Sequence, residues 1–124
     1  MPARTPEDVH RLWGEAMNAG DLESAVALYE PGASVVEQPG RVVTGLSAIR
    51  ELLAGYLALK PRLELTLRNM VQAGGVALLI TPWTLSGTAT DGSPVNLAGT
   101  TSDVVRRQAD GTWLFIIDNP YGTA

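Results

Sequence analysis

The hydrophobic pattern of the chain changes period near its midpoint. In the first half, apolar residues recur at helical spacing: Val9, Leu12, Trp13, Ala16 and Met17 fall along one side of a helix. Thr5, Pro6 and Asp8 precede them in the order of an N-cap, a first-turn proline and an acidic residue three positions after the cap. Gly20 suits the left-handed position that ends a helix. Asp21 is placed to cap a second, short helix from Leu22 to Tyr29, which Glu30-Pro31-Gly32 stops. Ala33 to Gln38 reads as a strand, Pro39-Gly40 as a turn and Arg41 to Val43 as a short return strand. A third helix is expected from about Leu46 to Leu59, with Leu46, Ile49, Leu53, Tyr56 and Leu57 inward and Pro61 closing it.

The second half alternates. Leu63, Leu65 and Leu67 interleave with polar residues as in a half-buried strand. Gly74-Gly75, Asp91-Gly92 and Asp110-Gly111 are hairpin turns, bounding long strands over Val76 to Thr88, Val95 to Gln108 and Trp113 to Asn119. An antiparallel meander of strands this long must twist and curl. Helices gathered on one side of it give an α+β domain, a curved antiparallel sheet wrapped by about three N-terminal helices into a cone around a pocket. No linker or repeat interrupts residues 1–124, so a single domain is expected.

Composition narrows the chemistry. Of 124 residues, 45% are hydrophobic and 18% charged, enough for a packed core. A net charge of −4 with scattered Lys and Arg argues against nucleic acid. Cysteine is absent and His10 is the only histidine, which excludes disulfides, thiolate catalysis and multi-histidine metal sites. No metal or organic cofactor is expected. No apolar run reaches membrane-spanning length and the first residues do not read as a signal peptide, so a cytoplasmic protein without a membrane partner is expected.

Three acidic residues sit in otherwise apolar strand segments: Glu37, Asp103 and Asp118. A carboxylate in such a place is hydrogen-bonded, neutralised or turned toward a wet cavity. Strand alternation puts Thr101 and Val105 on the face of Asp103, and Ile116 on the face of Asp118, opposite Trp113. Each acid also has a plainer reading: Asp103 as the partner of an arginine, Asp118 as an organiser of the chain end, Glu37 as a surface turn residue. His10 falls off the apolar helical face and is expected to be exposed. Trp13, on that face, is core or pocket wall.

The run Met17-Asn18-Ala19-Gly20-Asp21-Leu22, then Ala27 to Ala33 and Gly45 to Arg50, resembles the amino-terminal half of ketosteroid-isomerase-like and SnoaL-like proteins of the nuclear transport factor 2-like superfamily. Gly99 to Arg107, Asp110-Gly111-Thr112-Trp113 and Asp118-Asn119-Pro120 resemble small bacterial SnoaL-like proteins. By this resemblance Glu37 falls where the isomerase has its general base and Asp103 where it keeps a protonated acid in the oxyanion hole. The accompanying tyrosine falls on Trp13, whose indole N–H donates one hydrogen bond but cannot share a proton as a phenol can. Leu79, Thr81 and Trp83 would line the pocket.

The resemblance implies a pocket for a small apolar molecule. One implied activity is that of a cofactor-independent isomerase or cyclase acting on a carbonyl compound, with Asp118 as a further acid or a substrate hydrogen-bonding group; the alternative is a binding module without turnover. Of the three acids, Asp103 is expected to stay protonated near neutral pH. The superfamily commonly pairs through an uncharged sheet face, here assigned to Thr66, Thr100 and Ser102, so a homodimer is expected.

Overall fold

A computed structural model describes residues 2–122. The first helix, α1 (Pro6–Ala19), begins as its cap predicts: the Asp8 N–H donates to Thr5 Oγ1 at 3.3 Å, and Gly20 ends it at φ 73°. After it come α2 (Leu22–Val26), β1 (Tyr29–Gln38), β2 (Arg41–Thr44) and α3 (Leu46–Leu57). The second helix is shorter than its pattern suggests, and Tyr29, read as helical, is the first residue of β1.

The second half forms β3 (Arg62–Leu65), β4 (Asn69–Ala73), β5 (Val76–Ile80), β6 (Pro82–Thr88), β7 (Pro94–Thr100), β8 (Asp103–Arg107) and β9 (Trp113–Asp118). Two of the expected long strands are each broken in the middle, at Thr81 and at Thr101-Ser102. Leu79 still pairs with Asp103 before the break and Pro82 with Thr100 after it, so one hairpin bends through two sheets. At the bend the Thr101 N–H donates to the Thr81 carbonyl at 2.8 Å, and the Thr81 N–H to Thr101 Oγ1 at 3.3 Å. Backbone groups released by the ladder are thereby satisfied in the interior.

One sheet has the order β2-β1-β9-β8-β5-β4 and the other β3-β6-β7. The α+β class and the curved sheet are as expected. The sheet is not purely antiparallel, however, because β1 runs parallel to β9.

The helices pack on the concave side. Asn18 docks α1 on β3, donating to the Leu63 carbonyl at 2.9 Å and accepting the Leu63 N–H at 2.7 Å. Gly14 permits the close approach, since a Cβ there would lie 3.0 Å from Leu65 Cδ1. This proximity carries the face of α1 holding His10, Gly14 and Met17 into the interior, where all three are buried. His10 is only 6% exposed, which corrects the expectation of a solvated side chain.

Strand parity in β9 also needs correction. Val104 pairs with Ile117 while Val105 pairs with Phe115, so Ile116 is the extra residue of a β-bulge. Asp118 therefore faces inward with Phe115 and Trp113, all three buried, and Ile116 does not share their side. Trp113, expected on the opposite face of its strand, is 4% exposed in the core.

Candidate functional site

Between α1, α3 and the concave sheet lies a cavity of about 130 Å³. Its wall is mostly aliphatic and aromatic, and its ionisable groups are His10, Asp103, Asp118, Tyr56 and Tyr121. His10 projects from α1 toward the first residue of β8: its Nε2 lies 2.6 Å from Asp103 Oδ2, and its Nδ1 lies 2.8 Å from Thr81 Oγ1. A neutral ring donates from Nε2 and accepts the threonine proton; a charged ring donates to both. Asp103 Oδ1 accepts the Asn119 N–H at 2.7 Å. With Asp103 1% and Thr81 0% exposed, the pair is held almost without solvent.

Asp118 sits beside this pair at the end of β9. Its Oδ2 accepts the hydroxyl of Tyr29 at 2.6 Å. Burial, and then the adjacent Asp103 carboxylate, hold the Asp118 carboxyl well above the usual carboxylate range; the Tyr29 bond opposes them without prevailing. The phenol of Tyr29 is likewise raised, by burial first and then by the charge of Asp118. These surroundings favour the neutral form of Asp118. Trp13 contributes a buried indole Nε1 that makes no aligned hydrogen bond and interacts only weakly with the Tyr29 phenol.

The SnoaL-like domain family model matches residues 9–116, nearly the whole chain. The protein belongs to the SnoaL-like domain family. Among curated proteins no sequence match is found. Solved structures agree on the fold. A conserved protein from Planctomyces limnophilus superposes with a TM-score of 0.82 at 21% identity, over 91% of this chain and 89% of that one. A ketosteroid isomerase-like protein from Erwinia carotovora gives 0.81 at 17% identity, over 95% and 93%. A candidate dehydratase of the NTF2-like family from Streptomyces avermitilis gives 0.74 at 19% identity, over 90% and 88%. At these identities the likeness establishes the cone-like fold.

Within this SnoaL-like cone the residues singled out from sequence separate into groups. Asp103, Asp118, Trp13, Trp83 and Thr101 line the cavity. Leu79, Thr81 and Val105 are fully buried but stand behind its wall, and Ile116 is the half-buried bulge residue. Glu37 is not part of the wall. Its Oε2 meets Arg41 Nε at 2.7 Å across the β1–β2 turn, a charge contact rather than an aligned hydrogen bond, and its side chain is 33% exposed. Only its backbone carbonyl approaches the rim, accepting the Tyr121 hydroxyl at 2.9 Å.

Two groups escaped the sequence reading. His10 precedes Trp13, Gly14 and Met17 by three, four and seven positions, a spacing that marks a shared face once Gly14 is counted as a packing residue. Tyr29 opens a strand pairing with Phe115 in parallel, a non-local contact that no local pattern announces.

Proposed function

We propose that the SnoaL-like cavity binds a small, largely apolar carbonyl compound and moves a proton on it without a cofactor. The observation that carries this reading is the His10–Asp103 pair on a water-poor cavity wall, next to a carboxyl group whose surroundings favour its neutral form. Asp103 takes the proton α to the carbonyl, with His10 and the Asn119 amide fixing its orientation. Asp118 and the Trp13 N–H face the oxygen that gains charge. Thr81, outside the cavity, is a positioning residue that holds the His10 ring. Isomerisation and cyclisation both begin with such a proton removal. Among the structural relatives, one is ketosteroid isomerase-like and another is a candidate dehydratase, which supports chemistry of this kind.

The test is solvent-deuterium exchange at the α-carbon of neutral ketones, followed by NMR at neutral pD. Exchange accelerated by the wild type and lost in Asp103→Asn is expected. Ketones that bind without any exchange would favour the second reading, a ligand-binding module of the same fold, for which the apolar wall speaks equally well.

We also propose that two copies associate through the outer face of the larger sheet. Thr66, Thr100 and Ser102 do not make one face: Thr66 lies between strands, and Thr100 and Ser102 flank the bend and are half-buried. A cross-strand row instead runs Val71, Leu78, Val104, Ile117 over β4, β5, β8 and β9. Val71, Leu78 and Ile117 are 63%, 38% and 43% exposed. A self-complementary apolar row of this kind suits a two-fold interface.

A further inference from the structure

Five of the chain's seven aromatic residues converge on this cavity: Trp13, Tyr56, Trp83, Phe115 and Tyr121. They come from α1, α3, β6, β9 and the turn after β9, so no single element's pattern explains their meeting. Elsewhere the buried core is dominated by aliphatic side chains. The ring tips at the rim are tied down. Trp83 Nε1 donates to the Pro120 carbonyl at 2.8 Å, and the Tyr121 hydroxyl donates to the Glu37 carbonyl. Rings anchored in this way offer fixed π-faces and edges, which favour a flat partner over a puckered one.

Size and charge restrict that partner further. A cavity of about 130 Å³ is close to the engineered apolar cavity of about 150 Å³ that takes benzene. No lysine or arginine lines it among the described residues, its histidine is already engaged by Asp103 and Thr81, and two carboxyl groups face it, so a ligand carboxylate has no free counter-charge there. The buried Trp13 N–H makes no aligned hydrogen bond in the fold and has only a weak interaction with the Tyr29 phenol, so an acceptor on the ligand can engage it.

We infer that the cavity takes a neutral single-ring aromatic carbonyl compound, its ring among the five aromatic side chains and its oxygen on Trp13 Nε1. This deepens the proposed carbonyl chemistry and rests on it for the neutral oxygen; the ring preference stands on the aromatic wall alone.

Four probes separate the features: acetophenone, cyclohexyl methyl ketone with the saturated ring, ethylbenzene without the oxygen, and benzoate with a charge. Acetophenone is expected to bind the wild type about tenfold more tightly than each of the others. It should shift the Trp13 indole N–H resonance, which ethylbenzene leaves in place. Trp13→Phe should bring acetophenone down to the ethylbenzene level, with the ring-current-shifted methyl signals around Phe115 showing that the variant is folded. Equal binding of cyclohexyl methyl ketone overturns the aromatic preference. An unmoved indole signal, or benzoate binding as well as acetophenone, overturns the neutral oxygen at Trp13. Deuterium uptake into the acetophenone methyl group is read in the same samples. Bound acetophenone without uptake fails the proton-transfer reading and leaves this inference standing; uptake on both ketones with equal affinities does the reverse.

Discussion

His10 and Asp103 are 93 positions apart in the chain and 2.6 Å apart in the fold, joined through Nε2 and Oδ2 where neither side chain meets bulk water. Helix α1 and strand β8 are thereby locked by a polar contact inside an otherwise apolar interior. A buried pair of this kind adds little relative to a well-packed apolar substitute, but removing one member leaves the other unsatisfied.

The first prediction follows from that asymmetry. His10→Ala strips Asp103 Oδ2 and Thr81 Oγ1 of their partner and opens space beside Phe115, whose ring centroid lies 5.7 Å from that of the imidazole. Urea unfolding should show a loss of about 3–5 kcal/mol. In a double-mutant cycle with Asp103→Ala, the two changes should be coupled by about 0.5–3 kcal/mol. A loss below about 1 kcal/mol would be that of a solvated histidine.

How much of this was available from the residues alone differs between the two halves. The caps of α1, the helical stripe and the Gly-containing turns are local chemistry, and the folded chain keeps them. The breaks at Thr81 and Thr101-Ser102 are not local, because each is stabilised by the other strand's carbonyl or hydroxyl. The same holds for the bulge at Ile116: alternation counted through it sends Asp118 to the side of Ile116, and only the partner register reverses that. Asp103 was legible because β8 alternates without interruption. His10 was hidden because Gly14 has no side chain to mark the face the two share.

A second prediction concerns pH. The folded-state pKa of Asp118 is raised above the unfolded value of about 3.9 by burial and by Asp103. Between these two values the folded protein holds a proton that the unfolded chain has lost. Stability from this group is therefore full below the unfolded pKa and falls as pH rises, by up to about 1.4 kcal/mol per pH unit, until the folded pKa is passed. Carboxylates with lowered pKa, such as Asp8, Asp21 and Glu30, act in the opposite sense at more acidic pH. Asp118→Asn keeps an acceptor for Tyr29 and a donor toward Asp103. Its melting curves from pH 4 to 9 should lack the decline, so that the variant gains on the wild type as pH rises. A difference independent of pH would show that Asp118 does not hold the proton.

A third prediction uses the tryptophans. Trp13 and Trp83 border the cavity, whereas Trp113 is buried in the core away from it. Quenching by a bound aryl ketone should survive Trp113→Phe and be reduced by Trp13→Phe or Trp83→Phe. Loss of the whole signal with Trp113→Phe alone would place the ligand elsewhere.

The proposed association of two copies is tested by charge. Leu78→Asp or Ile117→Asp puts a carboxylate into the exposed row on the outer sheet face, on the side of each strand opposite its buried residues Ala77 and Leu79 or Phe115 and Asp118. Sedimentation at micromolar concentration should show a dimer for the wild type and a monomer for either variant, with the monomer still cooperatively folded. A wild type that sediments as a monomer removes the proposal.

The last prediction separates two candidate bases. The family resemblance assigns the proton acceptor to Glu37, but the Glu37 carboxylate meets Arg41 outside the cavity wall and reaches the lining only through its charge on Tyr56, while its one hydrogen bond to a lining residue is made by a backbone carbonyl that substitution leaves in place. Glu37→Gln should therefore leave α-deuterium exchange on a bound ketone within about twofold of the wild type. Asp103→Asn keeps the volume and can still accept the Asn119 N–H. Its amide N–H would face His10 Nε2, which can accept it by shifting its own hydrogen to Nδ1 and donating to Thr81. The fold is thus retained while the acceptor for the substrate proton is gone, and exchange should fall by about 10²–10⁴-fold. Comparable losses in both variants would mean that Glu37 swings over the cavity once a ligand is bound. A loss confined to Glu37→Gln would return the base to the position the resemblance gave it and leave the His10–Asp103 pair as a structural lock between helix and sheet.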